Sequence, residues 1–204
     1  PMIDKNIFNL VSIVRKNLKN ARIEMVTNGD VLNSSRIKKI FNSGLSTLLI
    51  SIYDGKKEAD AMEKLMLDTG ISPSQFKVRH RYLSESEDFG ITLSNRSGMM
   101  ENAEYKIKSL EEPLKTPCYY PHYTFFVDYT GEVLICSHDW GKKIIAGNIK
   151  RENFFDIWTN KYFDDARKKL VKGDRNFEPC NKCDVTGVLM GRSHVKAWTK
   201  GTKI

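Results

Sequence analysis

No cysteine occurs in the first 117 residues of this chain, and none after residue 183. The four present, Cys118, Cys136, Cys180 and Cys183, are confined to the second half. No run of 18 apolar residues occurs either, so a transmembrane helix is not expected. The chain opens without a basic and then apolar leader, which leaves secretion unsupported and makes a cytoplasmic location the expectation. Where thiols are kept reduced, four cysteines point to metal rather than to disulfides. Internal repeats and low-complexity tracts are lacking too. Lys and Arg number 33 against 25 Asp and Glu, a net charge of +8 that would suit an anionic partner. The two signs are interspersed, however, and no recognised nucleic-acid-binding motif accompanies them, so neither nucleic acid nor membrane is an expected partner.

What is present reads as two styles of chain. Ile7, Leu10, Val11, Val14 and Leu18 form the apolar stripe of an amphipathic helix. A short strand over 23–26 stops at Thr27-Asn28-Gly29. Asn33 or Ser34 can cap a second helix, which runs to Gly44. The run 48–53 reads as a buried strand, and Ala59, Met62, Leu65 and Met66 mark a third helix that ends at Gly70. Residues 76–82 alternate as a strand, and 91–94 supply a fourth. Strand and helix thus alternate as in a parallel sheet of βαβ units with one face and one edge left uncovered. After a charged, aperiodic stretch the pattern changes. Residues 122–128 and 132–136 read as strands flanking the turn Tyr129-Thr130-Gly131. Ile144 and Ile145 lie on a further strand, and helices are expected over 154–158 and 162–171, the latter capped by Asn160 and ended by Gly173.

The cysteine spacing carries the chemistry. Cys180 and Cys183 form a Cys-x-x-Cys knuckle, while Cys118 and Cys136 sit near the two ends of the expected hairpin and are returned toward each other by it. Four thiolates so arranged suit a [4Fe–4S] cluster or a structural zinc. Structural zinc sites more often pair two knuckles, so one knuckle plus two lone cysteines favours iron–sulfur.

Cys118, Gly131-Glu132-Val133, Cys136-Ser137-His138-Asp139-Trp140, Gly147-Asn148-Ile149, Ile157-Trp158 and Cys180-x-x-Cys183 together resemble the auxiliary-cluster module of radical S-adenosylmethionine (SAM) enzymes, the SPASM group and its shortened "twitch" form. The resemblance implies an α/β chain. Residues 1–98 would be part of a partial (β/α) radical SAM barrel, 99–115 a linker, 116–187 a small α+β SPASM/twitch domain built on a β-hairpin plus helix, and 188–204 a basic C-terminal tail. It implies that Cys118, Cys136, Cys180 and Cys183 ligate an auxiliary [4Fe–4S] cluster. Ser51, Arg79, Arg81, Asn95 and Arg96 would contact SAM, with arginine gripping its carboxylate in the mouth formed by the strand ends. The family's Cys-x-x-x-Cys-x-x-Cys triplet and its glycine-rich SAM motif are absent from this sequence. The expectation is therefore an N-terminally truncated oxidoreductase or modifying enzyme, active only when the missing region and its second [4Fe–4S] cluster are present. It would oxidise a sugar-like small molecule or a peptide and draw electrons from a flavodoxin or ferredoxin. The alternatives are a non-catalytic iron–sulfur electron-transfer protein and a zinc-stabilised interaction module.

Overall fold

The computed structural model describes residues 1–83, 94–103 and 106–201. The chain divides into two units, Pro1–Thr92 and Leu93–Ile204. Among the described residues no helix is long and apolar enough to cross a membrane.

The first unit alternates helix and strand: α1 (Ile7–Asn17), β1 (Glu24–Thr27), α2 (Ser34–Asn42), β2 (Thr47–Ile52), α3 (Lys56–Asp68) and β3 (Phe76–His80). The strands form a parallel sheet in the order β1-β2-β3, with Val26 opposite Leu49 and Ser51 opposite Arg79. The side chain of Asn33 accepts a hydrogen bond from the Arg36 N–H and starts α2. Met25, Leu48, Ile50, Phe76 and Val78 point to one face of the sheet and pack with Val11, Ile37, Ile40, Ala59 and Met66 from the three helices. The alternation of a strand sends Glu24, Val26, Leu49, Ser51, Lys77 and Arg79 to the other face, where Glu24, Val26 and Lys77 are exposed. Strand β3 ends at His80, short of the expected Tyr82, because Arg81 and Tyr82 already turn away. Residues 91–93 of the fourth expected strand lie outside the described residues.

The second unit holds α4 (Tyr120–Tyr123), β4 (Phe126–Val127), β5 (Glu132–Leu134), β6 (Ile145–Asn148), α5 (Phe154–Trp158), α6 (Lys161–Val171) and α7 (Arg192–Gly201). Strands β4, β5 and β6 form an antiparallel meander. The expected turn at 129–131 is present: Gly131 adopts φ +91, and the Asp128 carboxylate accepts from the Thr130 N–H and hydroxyl. The strand expected from His122 is corrected. Pro121 sits in the first turn of a helix, where its fixed φ fits and no N–H is missed, so 120–123 coil and only Phe126–Val127 pair. Asn160 caps α6 as expected, accepting from the Tyr162 and Phe163 N–H groups. The core joins Val133, Ile135, Ala146, Ile157, Phe163, Ala166 and Leu170. Residues read as a basic tail contain α7, whose Trp198 ring lies 4.1 Å from the Arg167 guanidinium, as does the Trp158 ring.

Candidate metal centre

Three separate stretches of the second unit deliver the four cysteines. Cys118 immediately precedes Tyr119 and α4, and its N–H donates to the Leu170 carbonyl at the end of α6 at 3.0 Å. Cys136 follows β5 by two residues, and its sulfur accepts from the His138 N–H at 3.4 Å. Cys180 opens a short 3-10 turn, Cys180–Lys182, that Cys183 closes by donating to the Cys180 carbonyl. All four cysteines are free thiols and line one cavity, partly open to solvent, together with His138 and Arg175.

Backbone architecture keeps this cavity in shape. The Tyr119 N–H donates to the Gly187 carbonyl at 2.9 Å, bringing the chain past Cys183 against the chain at Cys118. Gly187 adopts φ +71, and a Cβ there would stand 2.3 Å from the Cys118 sulfur, so this position excludes any larger side chain. Buried Asp139 accepts from the Lys143 and Ile144 N–H groups, both at 2.9 Å, and turns the loop after Cys136 back toward β6.

Burial disfavours the charged form of a thiol. It pushes Cys136 up to about 12 and raises Cys118 and Cys180 as well. The metal-free site therefore holds neutral thiols there, and a metal must displace their protons to bind. Four soft donors, an N–H aimed at one sulfur and a glycine cradle fit an iron–sulfur cluster. Among the described residues no group of three or more His, Cys, Asp or Glu side chains is gathered to hold a single metal ion.

The residues expected to contact SAM are distributed over both units. In the first, buried Ser51 stands near the end of β2 opposite Arg79, and Arg81 follows β3, its N–H donating to the Ile52 carbonyl at 2.8 Å. Burial, and then the neighbouring Arg81, lower the pKa of Arg79. An open cleft in this unit, lined by Asn28, Asp30, Asp54, Glu58 and Met62, includes none of these three. In the second unit, Asn95 is fully buried, and its side chain donates to the carbonyls of Lys108 at 3.0 Å and Lys182 at 2.6 Å. Its amide oxygen accepts from the Gly98 and Asp184 N–H groups, while its own N–H donates to the Asp184 carboxylate. The amide is thus spent on holding the knuckle. Arg96 has φ 48 and lays its guanidinium 4.9 Å from the Trp140 ring centre, with Nη1 3.4 Å from His138 Nδ1. The other partner of that His138 nitrogen is the Ser94 hydroxyl at 3.0 Å. Sequence patterns did not mark Arg175, Asp184 or Gly187. Most of their partners are main-chain groups or sulfur, for which a one-dimensional pattern has no symbol.

A family profile described as SPASM, an iron–sulfur cluster-binding domain, matches residues 118–184. The chain is 28% identical over 189 residues to the S-adenosyl-L-methionine-dependent 2-deoxy-scyllo-inosamine dehydrogenase of Niallia circulans, spanning 92% of this chain and 70% of that protein. It also resembles the crystal structure of BtrN in complex with AdoMet and 2-DOIA, with a TM-score of 0.73 and 25% identity over 94% of this chain and 72% of that one. The structure of selenomethionine BtrN in an open conformation shares the fold, with a TM-score of 0.62 and 22% identity over 91% of this chain and 67% of that one. Residues 118–184 thus match a SPASM iron–sulfur cluster-binding domain, within a chain similar to an S-adenosyl-L-methionine-dependent dehydrogenase.

Proposed function

We propose that this chain is the auxiliary-cluster-bearing part of a radical SAM oxidoreductase that oxidises an alcohol of a small, sugar-like or aminocyclitol substrate. The observation that carries it is the convergence of Cys118, Cys136, Cys180 and Cys183 on one cavity. A bound [4Fe–4S] cluster would supply a one-electron acceptor there. The chain's own residues hold the four sulfurs on three loops and aim the His138 N–H at one of them. One knuckle plus two lone cysteines favours iron–sulfur over a structural zinc, which more often pairs two knuckles.

The first unit is proposed as part of the SAM-binding barrel. Its three helices pack on one face of a parallel sheet, as successive crossovers do in a barrel. The opposite face, with Ser51 and Arg79 side by side, then faces the lumen. Parallel sheets are normally covered on both sides, so exposed Val26 argues for further structure there. Ser51, Arg79 and Arg81 are the proposed SAM contacts of this unit. The radical-generating cysteine triplet must come from outside residues 1–204, which contain no such motif. The substrate class rests on the dehydrogenase relative, and the reductant is proposed to be a flavodoxin or ferredoxin.

Anaerobic reconstitution followed by iron, sulfide and zinc analysis tests the reading. About four irons and four sulfides per chain, with a brown absorbance bleached by dithionite, are expected. Stoichiometric zinc without sulfide would replace the redox role with a structural one.

A further inference from the structure

We propose that Arg175 is a positioning residue of the four-cysteine site: it clamps the two cysteine-bearing segments together and fixes a positive charge beside them that raises the reduction potential of a cluster bound there. This inference rests on the iron–sulfur reading above.

Arg175 lies between the end of α6 and the knuckle and heads the fully buried side chains in size, with 1% of its surface exposed. Its Nε donates to the Thr116 carbonyl at 2.9 Å, and Nη2 to the Pro117 carbonyl at 3.1 Å and the Thr116 hydroxyl at 3.3 Å. On the other side Nη1 donates to the Val185 carbonyl at 2.7 Å and Nη2 to the Thr186 carbonyl at 2.8 Å. The first group of acceptors immediately precedes Cys118, and the second immediately follows Cys183 and Asp184. One planar fork therefore sets the spacing between ligand segments that are 65 positions apart in number, 118 against 183.

The charge has no carboxylate partner among the described residues: every hydrogen bond of this guanidinium goes to a neutral oxygen. Neutral dipoles alone compensate a buried cation poorly, and leaving a charge unpaired in low dielectric is costly. The same cavity wall carries the four thiols. A four-thiolate cluster is anionic and becomes more so on reduction. Because the fork is held from both sides, the charge cannot swing away, and a nearby fixed cation favours the reduced form.

The test is a redox titration, followed by electron paramagnetic resonance, of the reconstituted chain and of Arg175→Met and Arg175→Lys, with the rate of iron loss to a chelator measured in parallel. Arg175→Met keeps the apolar stem and removes the charge, so its midpoint should shift to more negative potential and its iron should leave faster. Arg175→Lys restores a charge but not the fork. It should return the midpoint most of the way to wild type while still losing iron faster. A Met variant that titrates at the wild-type potential, or a Lys variant as displaced as Met, overturns the electrostatic role. If Arg175→Met takes up no iron, Arg175→Lys decides: wild-type resistance to the chelator sinks the clamp, and faster loss at a near-wild-type midpoint supports it. Wild-type chain that takes up no iron and sulfide would instead refute the underlying cluster reading.

Discussion

At the scale of single residues, the site depends on groups that contribute shape rather than ligation. Gly187 must be glycine for two independent reasons, its φ of +71 and the 2.3 Å that would separate a Cβ from the Cys118 sulfur. The left-handed backbone costs a non-glycine residue about 1–2 kcal/mol, and the clash adds displacement of a ligand. Gly187→Ala should therefore lose most of its reconstituted iron while keeping the first unit folded. Wild-type iron content in that variant would show that the loop relaxes freely. Asn95 is the matching case on the polar side. Its amide bonds the Lys182 carbonyl inside the knuckle and the Asp184 N–H just after it. Asn95→Ala leaves those buried groups unpaired, at about 1–3 kcal/mol for each unsatisfied group. Denaturant unfolding of the second unit should shift by at least that much, and a variant as stable as wild type would remove Asn95 from the knuckle's support.

Secondary elements divide by whether their cause is local. The helices α1, α2 and α3 and the buried strand β2 were legible because their apolar period, and for α2 the Asn33 cap, are local, although in α1 only Val11 of the expected stripe is buried while Leu10, Val14 and Leu18 are exposed. Asn160 was legible as the cap of α6 for the same reason, and Asn160→Ala should lower stability by about 1 kcal/mol, read as a fall in the thermal midpoint of the second unit. An unchanged midpoint would mean that packing of Phe163 and Leu170 holds the helix start without the cap. Helix α4 was not legible, since aromatic alternation around His122 imitates a strand and only Pro121 hints otherwise. Helix α7 was hidden in basic composition. Its hold is tertiary: Trp198 covers Arg167, and His194 lies 5.8 Å from Tyr123 between ring centres. That the four cysteines come together at one cavity was readable from their spacing. Its supports were not, because the Asn95 and Arg175 side chains bond main-chain groups as far as 89 and 59 residues away.

On the scale of the whole molecule, the two units carry separate cores, and the histidines whose pKa burial lowers belong to the second. His122 is buried, and burial, then the Arg167 charge, lower its pKa from 6.5 to about 4. His138 is lowered too, by burial and then by Arg96. A histidine depressed in the folded state binds its proton first in the unfolded chain, so stability is full above pH about 6.5 and is lost as pH falls toward 4. For His122 the loss reaches about 3 kcal/mol at 1.36 kcal/mol per pKa unit. Asp128 does not contribute in this window, because the hydrogen bonds of Lys142 and Thr130 hold its carboxyl well below the usual carboxylate range. Protonation of cluster thiolates would act in the same direction, so metal-free protein isolates the histidine effect. All three tryptophans, Trp140, Trp158 and Trp198, belong to the second unit, and tryptophan fluorescence therefore follows its unfolding without signal from the first. Urea midpoints read this way should fall steeply between pH 6.5 and 4.5 in the wild-type chain and less steeply in His122→Gln, with His138 supplying the remaining slope. Parallel curves for the two proteins would mean that His122 is protonated in the folded unit and that the Arg167 contact is open to water.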